Sequence, residues 1–213
     1  MNTRDPHKIH EFWFADSLEG PAQLLTQKSN WFGGPHSFDD EIRERFGELP
    51  SAAVRGELDH WRQDRTSTLS LILVLDQFPR NLYRGLGRAF DFDWLGLKTA
   101  LSALGQGIHT ELHPVEALFM YLPLQHAEDP NLQDRSVTLF EALPGRAPVG
   151  TEEFFHSAAE YARLHRDIIT RFERFPHRNL ALGRQSTIEE QCFLDSGGDT
   201  FGVPQHLPEK PTD

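Results

Sequence analysis

The sequence predicts an all-α protein, and three observations carry that reading. No segment alternates polar and apolar residues for long enough to make a half-buried strand. Glycine and proline punctuate the chain between stretches of helical length. Within those stretches apolar residues fall at spacings of four and three, most plainly Phe154, Ala158, Tyr161, His165, Ile168, Phe172 and Phe175. The expected organisation is one helical domain over residues 1–195, with about eight helices joined by short loops. A flexible C-terminal tail over 196–213 follows, rich in proline and glycine and poor in apolar residues.

Each element has a local cause. Asp5-Pro6 is an N-cap followed by proline at the first helical position, and Ile9, Phe12 and Trp13 form the inner face of a first helix reaching about Ser17. Gly20-Pro21 stops it, and a second segment ends at Trp31-Phe32 before Gly33-Gly34-Pro35. Ser37 is expected to cap the next helix, with Asp39, Asp40 and Glu41 in its first turn and Ile42 and Phe46 inward. That helix breaks near Gly47 and resumes to Gly56, and Trp61 falls in a polar loop. Thr66 or Ser67 caps a central helix that Phe78-Pro79 should end, because the residue before a proline is pushed out of the α region. Asp91 or Asp93 caps a helix through Leu95, Leu97, Leu101 and Leu104, and Pro114 with Glu116 opens one that ends at Leu122-Pro123. Val137, Leu139, Phe140 and Leu143 mark another. Thr151 starts the long stripe named above, Phe175-Pro176 stops it, and Thr187 with Glu190 is a capping box for a last helix to Leu194.

Composition narrows the function classes. A net charge of −11 argues against nucleic-acid or anionic-membrane binding, both of which need a basic surface. One cysteine, Cys192, excludes an internal disulfide, and buried packing is its expected role. No run approaches the roughly 20 apolar residues of a membrane span, and the first residues carry no apolar signal core, so a cytoplasmic location is expected. His7 with His10 and His109 with His113 have spacings a metal can use, but neither pair has a third ligand, and no metal or cofactor is expected.

The chain is organised around Leu69–Asp93. Leu69 to Leu75 is apolar at every position but Ser70, so as a helix it belongs in the middle of the fold. Asp76 closes that run. A carboxylate at the end of a buried helix sits beside the negative end of the macrodipole and out of water, so it requires a cation or several donors. Arg80, Asn81, Arg84 and Arg88 follow it. A second segment echoes the first: Asp76-Gln77-Phe78-Pro79-Arg80-Asn81-Leu82 resembles Glu173 to Leu180, which also runs acid, Phe-Pro, Arg-Asn-Leu. The echo predicts that two helix ends meet and bring Arg80 and Arg178 together at Asp76.

These residues also carry a family resemblance. Phe12-Trp13-Phe14, Trp31-Phe32, Gly56-Glu57-Leu58, the block Leu75 to Gly85, Arg88-Ala89-Phe90, Tyr121-Leu122-Pro123 with His126 to Asp129, and His165 to Asp167 through Phe175 to Asn179 are similar to the bacterial family known as domain of unknown function 924. The similarity covers about Ile9 to Leu194. It implies an all-helical fold of the tetratricopeptide-like superhelical type and no established activity. In the family pattern Gln125 is often Glu and Ala127 often Ser, which implies that this chain lacks one carboxylate and one hydroxyl beside His126.

The candidate site follows from the polar groups. His126, His165 and Asp76 are the candidates for proton transfer, since histidine titrates near neutrality and His165 points inward. Arg80, Asn81, Arg84, Arg88, Glu128, Asp129, His177, Arg178 and Asn179 are the candidates for ligand contact. Arg80, Arg84, Arg88, His177, Arg178 and Arg184 concentrate cationic groups in two matching segments of an acidic protein, and arginine forks suit carboxylates and phosphates. Each group also has a structural reading: an ion pair or helix cap for Asp76, Arg80 and Asn81, a satisfied core residue for the histidines, and internal neutralisation of the arginines by Asp76, Glu128, Asp129 and Asp167. The triplet His165-Arg166-Asp167 copies a kinase catalytic loop, but it lies within a helix and lacks the glycine-rich strand and nucleotide lysine of a kinase. Two functions remain open: a pocket for a small anionic molecule, with or without catalysis, and an interaction module holding a peptide on a superhelix.

Overall fold

The computed structural model describes residues 4–206. Among these, ten α-helices and five short 3₁₀ turns account for all regular structure, against the eight helices expected. The helices are α1 Pro6–Phe14, α2 Pro21–Trp31, α3 His36–Phe46, α4 Leu49–Val54, α5 Arg65–Leu82, α6 Asp93–Gly105, α7 Pro114–Gln125, α8 Pro130–Glu141, α9 Glu152–Phe172 and α10 Ile188–Asp195. No helix among the described residues is long and apolar enough to cross a membrane.

The greasy run expected at the centre is there. α5 is buried at every position from Ser67 to Pro79 and packs against α1, α3, α4, α6 and α7. Its N-cap is Asp64, whose side chain accepts from the Ser67 amide, one turn earlier than expected. It also runs through Pro79 to Leu82, and α7 likewise runs through Pro123 to Gln125, so both prolines expected to stop a helix lie inside one. A proline inside a helix forfeits one backbone hydrogen bond and costs about 3 kcal/mol. A helix held on all sides by packing withstands that loss, because most helical stability in a folded protein is tertiary. This continuation carries Arg80 and Asn81 on a rigid helix rather than a loop.

Other local readings are corrected by packing. α3 starts at His36, so Ser37 lies within its first turn instead of capping it. Trp61 is buried in a 3₁₀ turn despite its polar neighbours. Cys192 is exposed, on the outer side of α10. On α6 the buried positions are Leu95, Gly96, Thr99, Ala100, Ala103 and Leu104, a small-residue face that lets α6 approach α5 closely, while Leu97 and Leu101 are only partly buried. The capping box at Thr187 and Glu190 forms as expected.

The long stripe on α9 divides. Ala159, Ala162, Ile168 and Ile169 enter the core, whereas Phe154, Ala158, Tyr161 and His165 line a cavity. A helix lying between a core and a cavity needs an apolar surface wider than one stripe, so periodicity alone does not say which edge faces which. α9 ends at Glu173 in the left-handed conformation, φ 60°. Residues 196–206, assigned by composition to the tail, lie against this end: Phe201 stacks on His165 with ring centroids 3.7 Å apart, and the Gln205 side chain donates to the His177 carbonyl. The rest of that segment, 207–213, falls outside the described residues.

Candidate functional site

The end of α5 places Gln77 and Arg80 on the wall of a cavity of about 750 Å³ lined by residues of α2, α5, α7, α8, α9, the Phe90 turn and the segment 199–204, with Asp76 behind that wall and joined to it through the cavity-lining His126. Asp76 is 1% exposed and has the partners its position demands. His126 Nδ1 lies 2.8 Å from one carboxylate oxygen and Gln77 Nε2 donates to the other at 2.6 Å. Arg80 completes the set at 3.5 Å. Burial by itself would raise the Asp76 carboxyl, but the Arg80 charge and the hydrogen bonds donated by His126 and Gln77 hold it well below the usual carboxylate range. An ionised Asp76 only accepts, so His126 donates from Nδ1 and keeps Nε2 as its acceptor. Burial and the nearby Arg80 push the His126 pKa down, against the pull of Asp76, which keeps the ring neutral at pH 7. A neutral imidazole oriented by a buried carboxylate is the geometry of a general base.

Two further histidines face the same space. The His165 Nδ1–H donates to the Tyr161 carbonyl at 2.7 Å, which leaves Nε2 as the acceptor; the ring centroid stands 6.2 Å from that of His126. Burial, helped by the charges of Arg178 and Arg80, pushes His165 down to about 3. His177 is 3% exposed, packs against Phe175 and Phe201, and is pushed down to about 2 by burial and Arg178. All three rings line the cavity.

The arginines sort differently from expectation. Arg80 and Arg178 do meet, through Asp93 at the first position of α6. Arg80 grips Asp93 with two hydrogen bonds of 2.9 and 3.0 Å, and Arg178 reaches it only at 3.6 Å. Both guanidinium groups lie over the Phe90 ring. Arg84 is committed to the buried Asp39 by two hydrogen bonds, and Asn81 donates to the same carboxylate. Arg184 is held by Glu128, which also accepts from the Phe175 amide, so that pair pins the turn after α9. Asp129 caps α8, and Asn179 is bonded to Glu190, Ser186 and Arg184 outside the cavity. Arg88 is exposed and stacks on Tyr83. Glu128, Asp129, Asn179 and Arg88 therefore do not line the cavity, while Arg80, Asn81, Arg84, His126, His165, His177 and Arg178 do.

Arg178 is what remains. It is 6% exposed, sandwiched between Phe90 and Phe175 at 4.7 and 4.5 Å from their ring centroids, and its side chain makes no hydrogen bond among the described residues. Its Nε is a buried donor without an acceptor, and the cavity-lining Gln125 Oε1 and His177 Nδ1 are also buried and unpaired. Burial pushes the Arg178 pKa down to about 10, opposed by Asp93.

Asp39, Asp93, Phe90 and Phe201 were not singled out in the sequence, yet they shape the site. Asp39 carried a usable signal, because its spacing to Ile42 and Phe46 puts it on the inward face of α3. Asp93 stands in the same way one turn before Gly96 and two before Ala100. Phe201 carried none, since it lies in an irregular glycine-rich segment.

The fold and site define an all-α protein with a cavity lined by buried histidine and arginine that aspartates hold from behind. Residues 9–198 match the family described as bacterial protein of unknown function (DUF924), and the chain belongs to that family. It is similar over 90% of its length to the solved structure of a protein of unknown function from Agrobacterium tumefaciens, with 35% sequence identity, 97% of that chain covered and a TM-score of 0.75. No curated protein matches it.

Proposed function

We propose that the cavity binds a small molecule carrying a carboxylate or phosphate, anchored by Arg178 with Arg80 beside it, and that the Asp76–His126 dyad accepts a proton from the bound molecule. One observation carries this reading: a buried guanidinium between two aromatic rings on the wall of the cavity, whose side chain makes no hydrogen bond among the described residues and whose carboxylate neighbour Asp93 stands off at 3.6 Å. Burying a cation without hydrogen bonds is costly, and the cost is relieved when an oxyanion takes its donors. The expected contribution of Arg84 is reduced, because Asp39 already occupies its fork. The expected excess of positive charge is likewise reduced to Arg178, since carboxylates take most of the other arginines. The dyad supplies a neutral base whose Nε2 lies on a ring facing the same space, which gives a binder the means to be an acid–base enzyme.

A tetratricopeptide-like array presenting a groove to a peptide is the second reading, favoured by Phe32 and Tyr161, about half exposed at the rim. It requires arginine and asparagine on an open surface, and the burial of Asn81, His177 and Arg178 supports the pocket instead. Calorimetry with a panel of carboxylates and phosphates at two salt concentrations tests the proposal. Saturable binding that Arg178→Lys removes, and that salt weakens little, is expected, because lysine keeps the charge but lacks the planar fork and enclosed charges are screened less. Absence of any saturable anion, with retention of a peptide on a column of the protein, would replace it with the second reading.

A further inference from the structure

Resting on the anion-pocket reading, we infer that the ligand is an amphipathic acid: one anionic head at Arg178 and an unbranched apolar tail that leaves the polar end along α9 and passes into a second hollow beside α2. The main cavity is too large for a bare oxyanion; about 750 Å³ is the size that takes a molecule with a substantial body. Its histidines and two of its arginines are gathered at one end, while Lys28 and Ser157 stand at the other. Arg80, His126, His165, His177 and Arg178 stand together, while the remaining length is walled by apolar side chains, chiefly Trp31, Leu118, Leu122 and Phe140. The cavity face of α9 measures that length. From His165 to Phe154 is eleven residues along the helix, about 16 Å at the usual rise per residue.

The apolar end borders a second hollow across shared side chains. Lys28, Phe154 and Ser157 line both the main cavity and a second hollow of about 320 Å³, whose other walls include Pro21, Leu24 and Leu25. Leu25 is 61% exposed, on a helix whose other apolar residues Leu24 and Trp31 are buried. At the junction the Lys28 ammonium lies 5.7 Å from the centroid of the Phe154 ring, and its flexible stem is the part that yields to a passing chain. An acid with a tail satisfies both ends at once: its oxygens take the Arg178 donors, and its methylenes cover walls that otherwise face water.

Isothermal calorimetry of the full chain with acetate, hexanoate, decanoate and hexadecanoate, and with inorganic phosphate and decyl phosphate, tests this. Affinity should climb by about fourfold per methylene, the gain from burying one in apolar surroundings, and whichever of decanoate and decyl phosphate binds more tightly names the head. Ser157→Trp should bring decanoate down to the affinity of hexanoate without changing hexanoate. Leu25→Glu, on an exposed position that folding tolerates, should weaken hexadecanoate about tenfold and spare hexanoate and decanoate, whose chains end short of the second hollow. If acetate or inorganic phosphate binds as tightly as decanoate, the tail inference is overturned and the anion pocket stands. If decyl alcohol binds as tightly as decanoate, the head is wrong and so is the anion pocket. If none of the acids binds, both readings fall together.

Discussion

The two Phe-Pro-Arg-Asn segments share a sequence and a plan but not an outcome. Each buries its phenylalanine, Phe78 and Phe175, and each sends its arginine to Asp93 and Phe90. Each bonds its asparagine to a buried acid on another helix that also holds an arginine: Asn81 to Asp39 with Arg84, and Asn179 to Glu190 with Arg174. The backbones differ. The first copy stays helical through Pro79, and the second breaks at the left-handed Glu173 and turns through 3₁₀ geometry. Gly87 permits the close approach that joins them, since a Cβ there would stand 2.7 Å from the Ala181 carbonyl oxygen. Arg80 bonds both oxygens of Asp93, and the second arginine stands 3.6 Å from the same acid with its side-chain donors unused. One copy is a structural clasp, and the proposed function rests on the other.

Removing the anchor of the first copy should have the largest effect. Asp76→Ala leaves Arg80 short of a buried partner and should destabilise the protein by about 3–5 kcal/mol in denaturant melts, whereas Asp76→Ala with Arg80→Met should cost clearly less. Equal losses for the single and double variants would mean that the pair is not coupled.

The next effect concerns the histidines of the second copy and its cavity. His165 and His177 have folded pKa values of about 3 and about 2, below the ordinary 6.5. The unfolded chain therefore binds protons below about pH 6.5 that the folded chain refuses, so stability is full above that pH and falls with acidification down to the folded values. Each histidine contributes at most about 1.4 kcal/mol per pH unit in this window. His165→Gln should make the fall shallower, and an unchanged slope in melts between about pH 7 and 4.5 would show that His165 is not buried neutral.

The arginines themselves should separate the copies with opposite signs. Arg80→Met should destabilise by about 2–3 kcal/mol, as it orphans Asp93 and Asp76. Arg178→Met should raise stability by about 1 kcal/mol, since it replaces a buried cation without hydrogen bonds by an apolar side chain that still packs between Phe90 and Phe175, while anion binding is lost. If both variants lose stability alike, Arg178 belongs to the clasp and not to a ligand site. The smallest effect is expected at Arg88, exposed on Tyr83: Arg88→Ala should change stability by less than about 0.5 kcal/mol and leave anion binding intact.

Read along the chain, residues 69–82 already state that a buried helix carries Asp76 and that a basic partner must reach it, because burial and charge are properties of one helix and its own neighbours in sequence. The helix class, the capping box at Thr187 and the meeting of the two echoing segments are legible for the same reason: they rest on spacing and on short-range preference. Which arginine keeps its donors was not legible. Arg84 is taken by Asp39, forty-five positions away, Arg80 by Asp93 and Arg184 by Glu128, and nothing in local spacing pairs these residues. A hydrogen bond is decided within a few tenths of an ångström, while periodicity fixes only the face of a helix. The tertiary structure brings Arg80, Arg84 and Arg184 among carboxylates from α3, α5, α6 and the α7–α8 loop, and leaves Arg178 on the cavity wall at 3.6 Å from Asp93, beyond hydrogen-bonding distance.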